Sequence, residues 1–204
     1  MENILVVGAT GTTGKKVVRL LKASQYFEPV AMVRKESQVD EFLVQDIKTV
    51  VGDLAEDVSH TVLDIDKIVF AAGSGGKNVV QVDQEGAKKM IDAAKAGGIR
   101  KFVMLSSMGV DQPEEVPALK EYLEAKQNAD KYLQASAVPY VIIRPGSLTN
   151  EKGTGKIQMA KSLDKQGSIS REDVAKVLTK ALNDDGPANE VFEIIAGNDL
   201  IGWN

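Results

Sequence analysis

The chain of 204 residues is 43% hydrophobic and 26% charged and carries a formal net charge of −4, which is typical of a soluble globular protein with a substantial core. It has no Cys and a single His, His60, which excludes disulfides, thiolate metal sites, a Cys nucleophile and a multi-His metal centre. The sequence contains no long basic stripe, no membrane-length apolar run and no signal-peptide pattern. We therefore expect a cytoplasmic protein that binds neither nucleic acid nor membrane.

The first predicted element is a buried strand that runs directly into a glycine turn. The apolar run 4–7 is followed by glycines at 8, 11 and 14 and then by a helical pattern. A helix that opens in this way directs free N–H groups and a positive dipole end at the space above the strand, where a pyrophosphate would bind. The spacing G-x-x-G-x-x-G differs from the standard fingerprint, and an ordinary glycine turn is the alternative. Small residues between the glycines and the distance to the next strand favour a dinucleotide site.

The second predicted strand ends at Arg34, twenty residues after Gly14. Proteins that bind NAD usually place a carboxylate at this point to hold the ribose 2′-hydroxyl, whereas Arg suits the 2′-phosphate of NADP. Lys35 adds positive charge, although Glu36 and the frequency of solvated Arg at strand ends leave NAD open. The pattern therefore favours NADP.

Strand-like and helix-like segments alternate through the remainder of the chain. Near-continuous apolar strands alternating with helices predict an α/β fold with a doubly wound parallel sheet, whose ligand lies above the carboxyl ends of the strands. Ser37 with Asp40 is typical of a capping box that opens the second helix. We expect one domain over 1–204, in which 147–204 form a small substrate-side extension and the irregular stretch 147–168 forms part of a binding rim. Later strands are predicted at 48–53, 67–73, 101–107, 139–146 and 190–197, and later helices at 82–98, 118–136 and 170–184.

Two further strand ends suit a bound nucleotide. Asp53 follows the third strand and can accept a hydrogen bond from an adenine amino group, although a turn Asp after Gly is an equal alternative. The fourth strand ends in the small-residue segment 71–76, which would let a dinucleotide lie against the backbone or would form a flexible loop.

Tyr122 and Lys126 are the candidates for chemistry. They are four residues apart on a predicted helix and therefore share a face. A nearby ammonium favours the phenolate form of a Tyr, so such a pair can exchange a proton with a carbonyl oxygen, and Ser106 or Ser107 could hydrogen-bond the same oxygen. The alternative is a Tyr ring packed on the sheet and a solvated Lys near Asp130.

The segments VVGATGTTG, AAGSGG, FVMLSSMG, YLEAK, VIIRPGSLT and ISREDVA together resemble the atypical short-chain dehydrogenase/reductases. The resemblance is to the compact NAD(P)-dependent epimerase/dehydratase-like group, which is similar to biliverdin/flavin reductases and to nitrogen-metabolite-repressor-like proteins, and it extends over nearly the whole chain. It implies a Rossmann fold. The catalytic residues implied are Tyr122, Lys126, Ser107 and Asp83. The cofactor-binding residues implied are Gly8, Thr10, Gly11, Thr12, Thr13, Gly14, Arg34, Asp53, Leu54, Ala72, Gly73, Lys126, Pro145 and Gly146.

Two departures from full-length relatives bear on the chemistry. Asp83 stands where those enzymes use Asn, so it could hold Lys126 by charge instead of serving a proton relay, or could be an ordinary solvated carboxylate. The last sixty residues or so are also too few for a large substrate region. We expect an NADP-dependent oxidoreductase, a monomer or a homodimer, that transfers hydride to a small carbonyl, quinone or flavin. A non-catalytic NADP-binding redox sensor and an epimerase/dehydratase are the alternatives.

Overall fold

The computed structural model describes residues 1–203, and the sheet at its centre has nine strands within that part of the chain. Its order is β11-β8-β10-β6-β5-β4-β1-β2-β3, in which the seven strands from β10 to β3 are parallel. The strands are β1 Glu2–Val7, β2 Phe27–Val33, β3 Lys48–Val51, β4 Lys67–Phe70, β5 Lys101–Leu105, β6 Tyr140–Pro145, β8 Lys156–Ala160, β10 Glu190–Ala196 and β11 Asp199–Leu200.

Helices cover both faces of this sheet because its central strands are apolar on both sides. In β1, Ile4 and Val6 enter one core layer while Leu5 and Val7 enter the other. The helices α1 and α5 pack on the first layer, and α3 and α4 pack on the second. This arrangement confirms the doubly wound α/β prediction. The helices are α1 Thr12–Lys22, α2 Asp40–Leu43, α3 Ala87–Ala96, α4 Lys120–Ala135 and α5 Arg171–Lys180.

The stretch 147–168 is more regular than the sequence predicts, and the sheet is mixed. The strand β7 (Ser147–Thr149) pairs with β9 (Ser168–Ser170) in a separate two-stranded sheet. Between them, β8 joins the main sheet antiparallel to β10, with Met159 opposite Ile194. The interpretation of 147–168 as irregular was therefore wrong. The strand β8 was not predicted because Gly and Lys residues surround it and because only one of its apolar side chains, Ile157, is fully buried in the core.

Two helix starts also differ from their predictions. The helix predicted from 82 begins as a π-helix, Val79–Gly86, and becomes α-helical only at Ala87. The capping box predicted at Ser37 and Asp40 is absent from the described residues, where a 3₁₀ turn, Glu36–Gln38, precedes α2. The Gln38 side chain reaches back to the chain at Lys35 and so takes the capping role.

Candidate functional site

The glycine turn after β1 has no space for side chains at its first and last glycines. Gly8 has a φ of +84°, and a Cβ built there would lie 2.6 Å from the backbone N of Ala72. A Cβ on Gly14 would lie 2.1 Å from the carbonyl oxygen of Gly8. Both contacts are far inside van der Waals distance, so these glycines bring β1, α1 and the end of β4 together. At Gly11, by contrast, an added Cβ would meet within 4 Å only the Gly8 carbonyl oxygen, at 3.2 Å.

The start of α1 is uncapped. Gly11 is the N-cap, and no side chain in residues 1–203 accepts a hydrogen bond from the first turn, which also lacks acidic residues. The N–H groups of Thr12, Thr13 and Gly14 have no acceptor within the helix. Gly11 and Thr12 are exposed, Thr10 is half-buried and Thr13 is buried. This end of the helix therefore offers uncapped N–H donors and a positive dipole to an anion.

Arg34 lies just beyond β2, the neighbour of β1 in the sheet. Its side chain is exposed and makes no ion pair with any residue from 1 to 203. The Gln38 Oε1 accepts hydrogen bonds from the backbone N–H groups of Arg34 and Lys35, at 3.0 and 3.1 Å, which fixes the backbone under both cations. This support was not predicted, although Gln38 stands only four residues after Arg34 in the sequence.

Asp53 lies at the end of β3 in a half-buried position. Its Oδ1 accepts a hydrogen bond from the Ala55 N–H at 3.0 Å, as in an Asx turn, which accounts for one of its two oxygens. Leu54 is buried, and a Cβ on Gly86 would lie 2.7 Å from the Leu54 Cβ. This close approach sets the π-helix directly against the loop after β3.

Asp83 connects the π-helix to the loop after β4. It is 1% exposed, and its Oδ2 accepts a hydrogen bond from the Ser74 N–H at 2.9 Å. Its Oδ1 makes no hydrogen bond within the described residues but lies 3.3 Å from the Lys126 Nζ. A Cβ on Gly73 would lie 3.2 Å from the same Oδ1. Asp83 is thus a buried counter-charge to Lys126, and the interpretation of it as a solvated helix carboxylate was wrong.

Lys126 is 4% exposed, which also contradicts the interpretation of it as a solvated helix residue. Its Nζ donates to the carbonyl oxygens of Ala72 and Leu105 at 3.4 and 3.5 Å, at the ends of β4 and β5. The same Nζ lies 5.9 Å from the centre of the Tyr122 ring. Tyr122 is half-buried, and its hydroxyl makes no hydrogen bond to residues 1–203. The ammonium therefore contacts Asp83, two carbonyl groups and an aromatic face.

The ends of β5 and β6 complete this edge of the sheet. The Ser107 Oγ is half-buried and donates to the Met108 carbonyl at 3.1 Å, whereas the Ser106 Oγ is buried and has no hydrogen bond within residues 1–203. Pro145 accepts a hydrogen bond from the Met108 N–H at 2.9 Å, and a Cβ on Gly146 would lie 2.2 Å from the Gly167 carbonyl oxygen. All the predicted site residues follow parallel strands or lie on elements packed beside those strand ends.

Arg144, for which no role was predicted, lies beside this site. Its Nε donates to the Asp130 Oδ2 at 2.9 Å and its Nη1 donates to the Asp111 Oδ2 at 2.6 Å. Burial raises the pKa of the Asp130 carboxyl, while the positive charges of Arg144 and Lys126 act to lower it. The signals were readable, since Asp130 is one helical turn from Lys126 and Arg144 directly precedes Pro145.

The amino edge of the sheet carries a pocket, but the buried cation in it is already paired. A pocket of about 800 Å³ lies there, lined in part by Glu2, Tyr26, Lys67 and Asp184. The Lys67 Nζ is fully engaged by Glu2 at 2.8 Å, Asp184 at 2.7 Å and the Leu182 carbonyl at 2.8 Å. Residues 1–203 contain no group of three or more His, Cys, Asp or Glu placed to hold a metal, and none of their helices is long and apolar enough to cross a membrane. Because the Lys67 ammonium already donates to three protein acceptors, we place the candidate site at the carboxyl edge despite the size of this pocket.

A doubly wound sheet with an uncapped helix after a glycine turn defines a dinucleotide-binding protein. The chain belongs to the NAD(P)H-binding family, which it matches over residues 8–185. It is 38% identical to the uncharacterized sugar epimerase YhfK of Bacillus subtilis, over 96% of this chain and 94% of that protein. It also resembles a Bacillus halodurans structure described provisionally as an NAD-dependent epimerase/dehydratase (38% identity, TM-score 0.94, covering 98% of this chain and 97% of that one). The structure of the oxidoreductase ylbE from Lactococcus lactis is similar too (31% identity, TM-score 0.87, covering 98% and 93%).

Proposed function

We propose that this protein is an NADP-dependent oxidoreductase that transfers hydride to a small carbonyl, quinone or flavin acceptor. One observation carries the proposal. The uncapped N-terminus of α1 and the buried Lys126 lie at the same edge of the sheet, which is where a doubly wound fold binds a dinucleotide. The likeness to an oxidoreductase of Lactococcus lactis supports this assignment.

The residues of this edge fit a dinucleotide. Uncapped N–H donors at the start of α1 suit a pyrophosphate, and Gly11 and Thr12 are exposed there. The glycine turn, Thr10, Thr12 and Thr13 would hold that pyrophosphate, Asp53 and Leu54 would flank the adenine, and Ala72, Gly73, Pro145 and Gly146 would line the nicotinamide end. When bound, NADPH supplies a hydride.

The preference for NADP over NAD is assigned to Arg34. Its guanidinium is exposed and forms no ion pair within residues 1–203, so a 2′-phosphate would meet it without displacing a protein carboxylate. The Gln38 amide holds the backbone beneath Arg34 and Lys35, which keeps both cations at the end of β2.

The chain's own polar groups would act on the acceptor. In our proposal the Tyr122 hydroxyl donates a proton to the oxygen of a carbonyl acceptor, and the Ser107 hydroxyl hydrogen-bonds that oxygen. Lys126 holds the nicotinamide ribose, and Asp83 keeps the ammonium in place through the 3.3 Å contact. Residues 147–204 would line a small substrate side.

Two other functions remain candidates. The contact between Asp83 and Lys126 favours a redox sensor that binds NADP without catalysis. The Asp83 carboxylate neutralises the Lys126 ammonium, whose positive charge would otherwise favour proton loss from the Tyr122 hydroxyl. The names of two relatives favour an epimerase or dehydratase.

The test is turnover of NADPH by the purified protein with flavin, quinone and aldehyde acceptors. Aldehyde reduction that is lost in Tyr122→Phe, with NADPH binding retained, supports tyrosine acid chemistry. Flavin or quinone reduction that persists in the variant supports a reductase that acts by positioning alone. Tight NADPH binding without turnover of any acceptor supports the sensor, and absence of NADPH and NADH binding refutes the proposal.

A further inference from the structure

Arg144 joins three parts of the candidate site. It lies on β6, directly before Pro145, and its guanidinium reaches Asp130 on α4 and Asp111 on the loop after β5. Arg144 is 7% exposed and Asp130 is fully buried, whereas the Asp111 side chain is 68% exposed. The inner ion pair is therefore shielded from water and ties the helix that carries Tyr122 to the strand that ends at the Pro145 turn.

Asp130 lies one helical turn beyond Lys126, on the same buried face of α4. Its Oδ2 is held by Arg144, while its Oδ1 is buried and makes no hydrogen bond within residues 1–203. The Ser106 hydroxyl, at the end of β5, is also buried and unbonded in the same part of the chain. A buried carboxylate with one directional partner is costly to displace, because separation would leave an uncompensated charge in the interior.

We infer that Asp130 and Arg144 are positioning residues that fix α4 against the end of β6 and thereby hold the Lys126 ammonium where the nicotinamide half of the cofactor binds. The inference rests on the proposed function. The site would then consist of two halves, because the glycine turn and Arg34 would hold the adenine half and neither contacts the Asp130–Arg144 ion pair. Loss of the pair should therefore weaken binding of the nicotinamide half alone.

Two probes distinguish the halves. Adenosine 2′,5′-bisphosphate reports the adenine half, and NADPH, followed by its fluorescence, reports both. In Asp130→Asn we expect the Kd for NADPH to rise roughly tenfold, kcat with the best acceptor to fall up to about a hundredfold, and the Kd for the bisphosphate to stay within about twofold. Asp130→Glu should recover part of the loss. Lys67→Met, which removes a buried cation at the opposite edge, should leave both Kd values unchanged.

Each result decides between the alternatives. A folded Asp130→Asn with unchanged NADPH binding and turnover, or with equal losses for both probes, overturns the positioning role. If Asp130→Asn does not fold, Arg144→Lys takes its place, because it keeps a buried cation opposite Asp130 but lacks the planar fork that contacts Asp130 and Asp111 together. Weaker NADPH binding with normal bisphosphate binding in that variant supports the role, whereas unchanged NADPH binding overturns it. Failure of the wild-type protein to bind either probe overturns the proposed function, and the positioning role with it.

Discussion

Gly11→Ala tests the cofactor site with little disturbance of the fold. Gly11 has an ordinary φ of −76°, and an added Cβ would meet only the Gly8 carbonyl oxygen, at 3.2 Å. Ala is a poorer N-cap than Gly, which destabilises the folded protein by a few tenths of a kcal/mol or somewhat more. Ala also lowers the conformational entropy of the unfolded chain, which stabilises the folded protein by ~0.4–1 kcal/mol. The two effects oppose each other, so the free energy of unfolding should change by less than ~1 kcal/mol. The methyl group would, however, stand where the pyrophosphate approaches α1.

The loss of affinity follows from the hydrogen bonds at stake. A hydrogen bond to a charged group contributes ~1.5–3 kcal/mol, so losing one costs ~2 kcal/mol, or roughly thirtyfold in Kd for NADPH. Calorimetry gives the Kd and thermal unfolding gives the stability. Gly202→Ala, where the nearest atom to a Cβ is 4.0 Å away, is the matched control. An unchanged Kd in a stably folded Gly11→Ala protein would refute the placement of the pyrophosphate.

Three further predictions follow from individual side chains. Arg34→Gln should weaken NADPH binding by roughly tenfold or more with little change for NADH, since a charged hydrogen bond to phosphate is lost; an unchanged NADPH:NADH ratio by titration contradicts it. Gly14→Ala should lower the Tm, because its Cβ would lie 2.1 Å from a backbone oxygen; a wild-type melting curve would argue against the turn geometry. Asp173 accepts hydrogen bonds from the N–H groups of Thr154 and Gly155. Burial alone would raise the pKa of its carboxyl, but these hydrogen bonds and Lys176 outweigh burial and lower the pKa below the ordinary 3.8. The stabilisation that the Asp173 carboxylate gives the folded protein is complete above its unfolded pKa and is lost as the pH falls through its lower folded pKa. Asp173→Asn should therefore reduce the Tm at pH 7, and its Tm should approach that of wild type in acid. A difference in Tm that persists at all pH values would contradict this.

The regular, local features were predictable from the sequence. The buried strand before Gly8, the glycine turn and the apolar strands depend on φ restrictions and hydrophobic patterning, which are properties of short segments. The start of the last helix at 170 was predicted for the same reason, and the Ser170 Oγ accepts a hydrogen bond from the Asp173 N–H there at 3.0 Å. The strand β8 was missed because only Ile157 among its residues is buried and its partner, β10, is distant in sequence.

The amino-acid sequence by itself determined the class of fold and predicted a site at the carboxyl edge, because periodicity and glycine spacing act over a few residues. Only the tertiary structure decided the electrostatics around Lys126. The contact with Asp83 joins two helices, and the Arg144–Asp130 pair joins a helix to a strand. Such pairs form only after chain segments far apart in sequence are buried together, where low dielectric strengthens each attraction and penalises each unpaired charge.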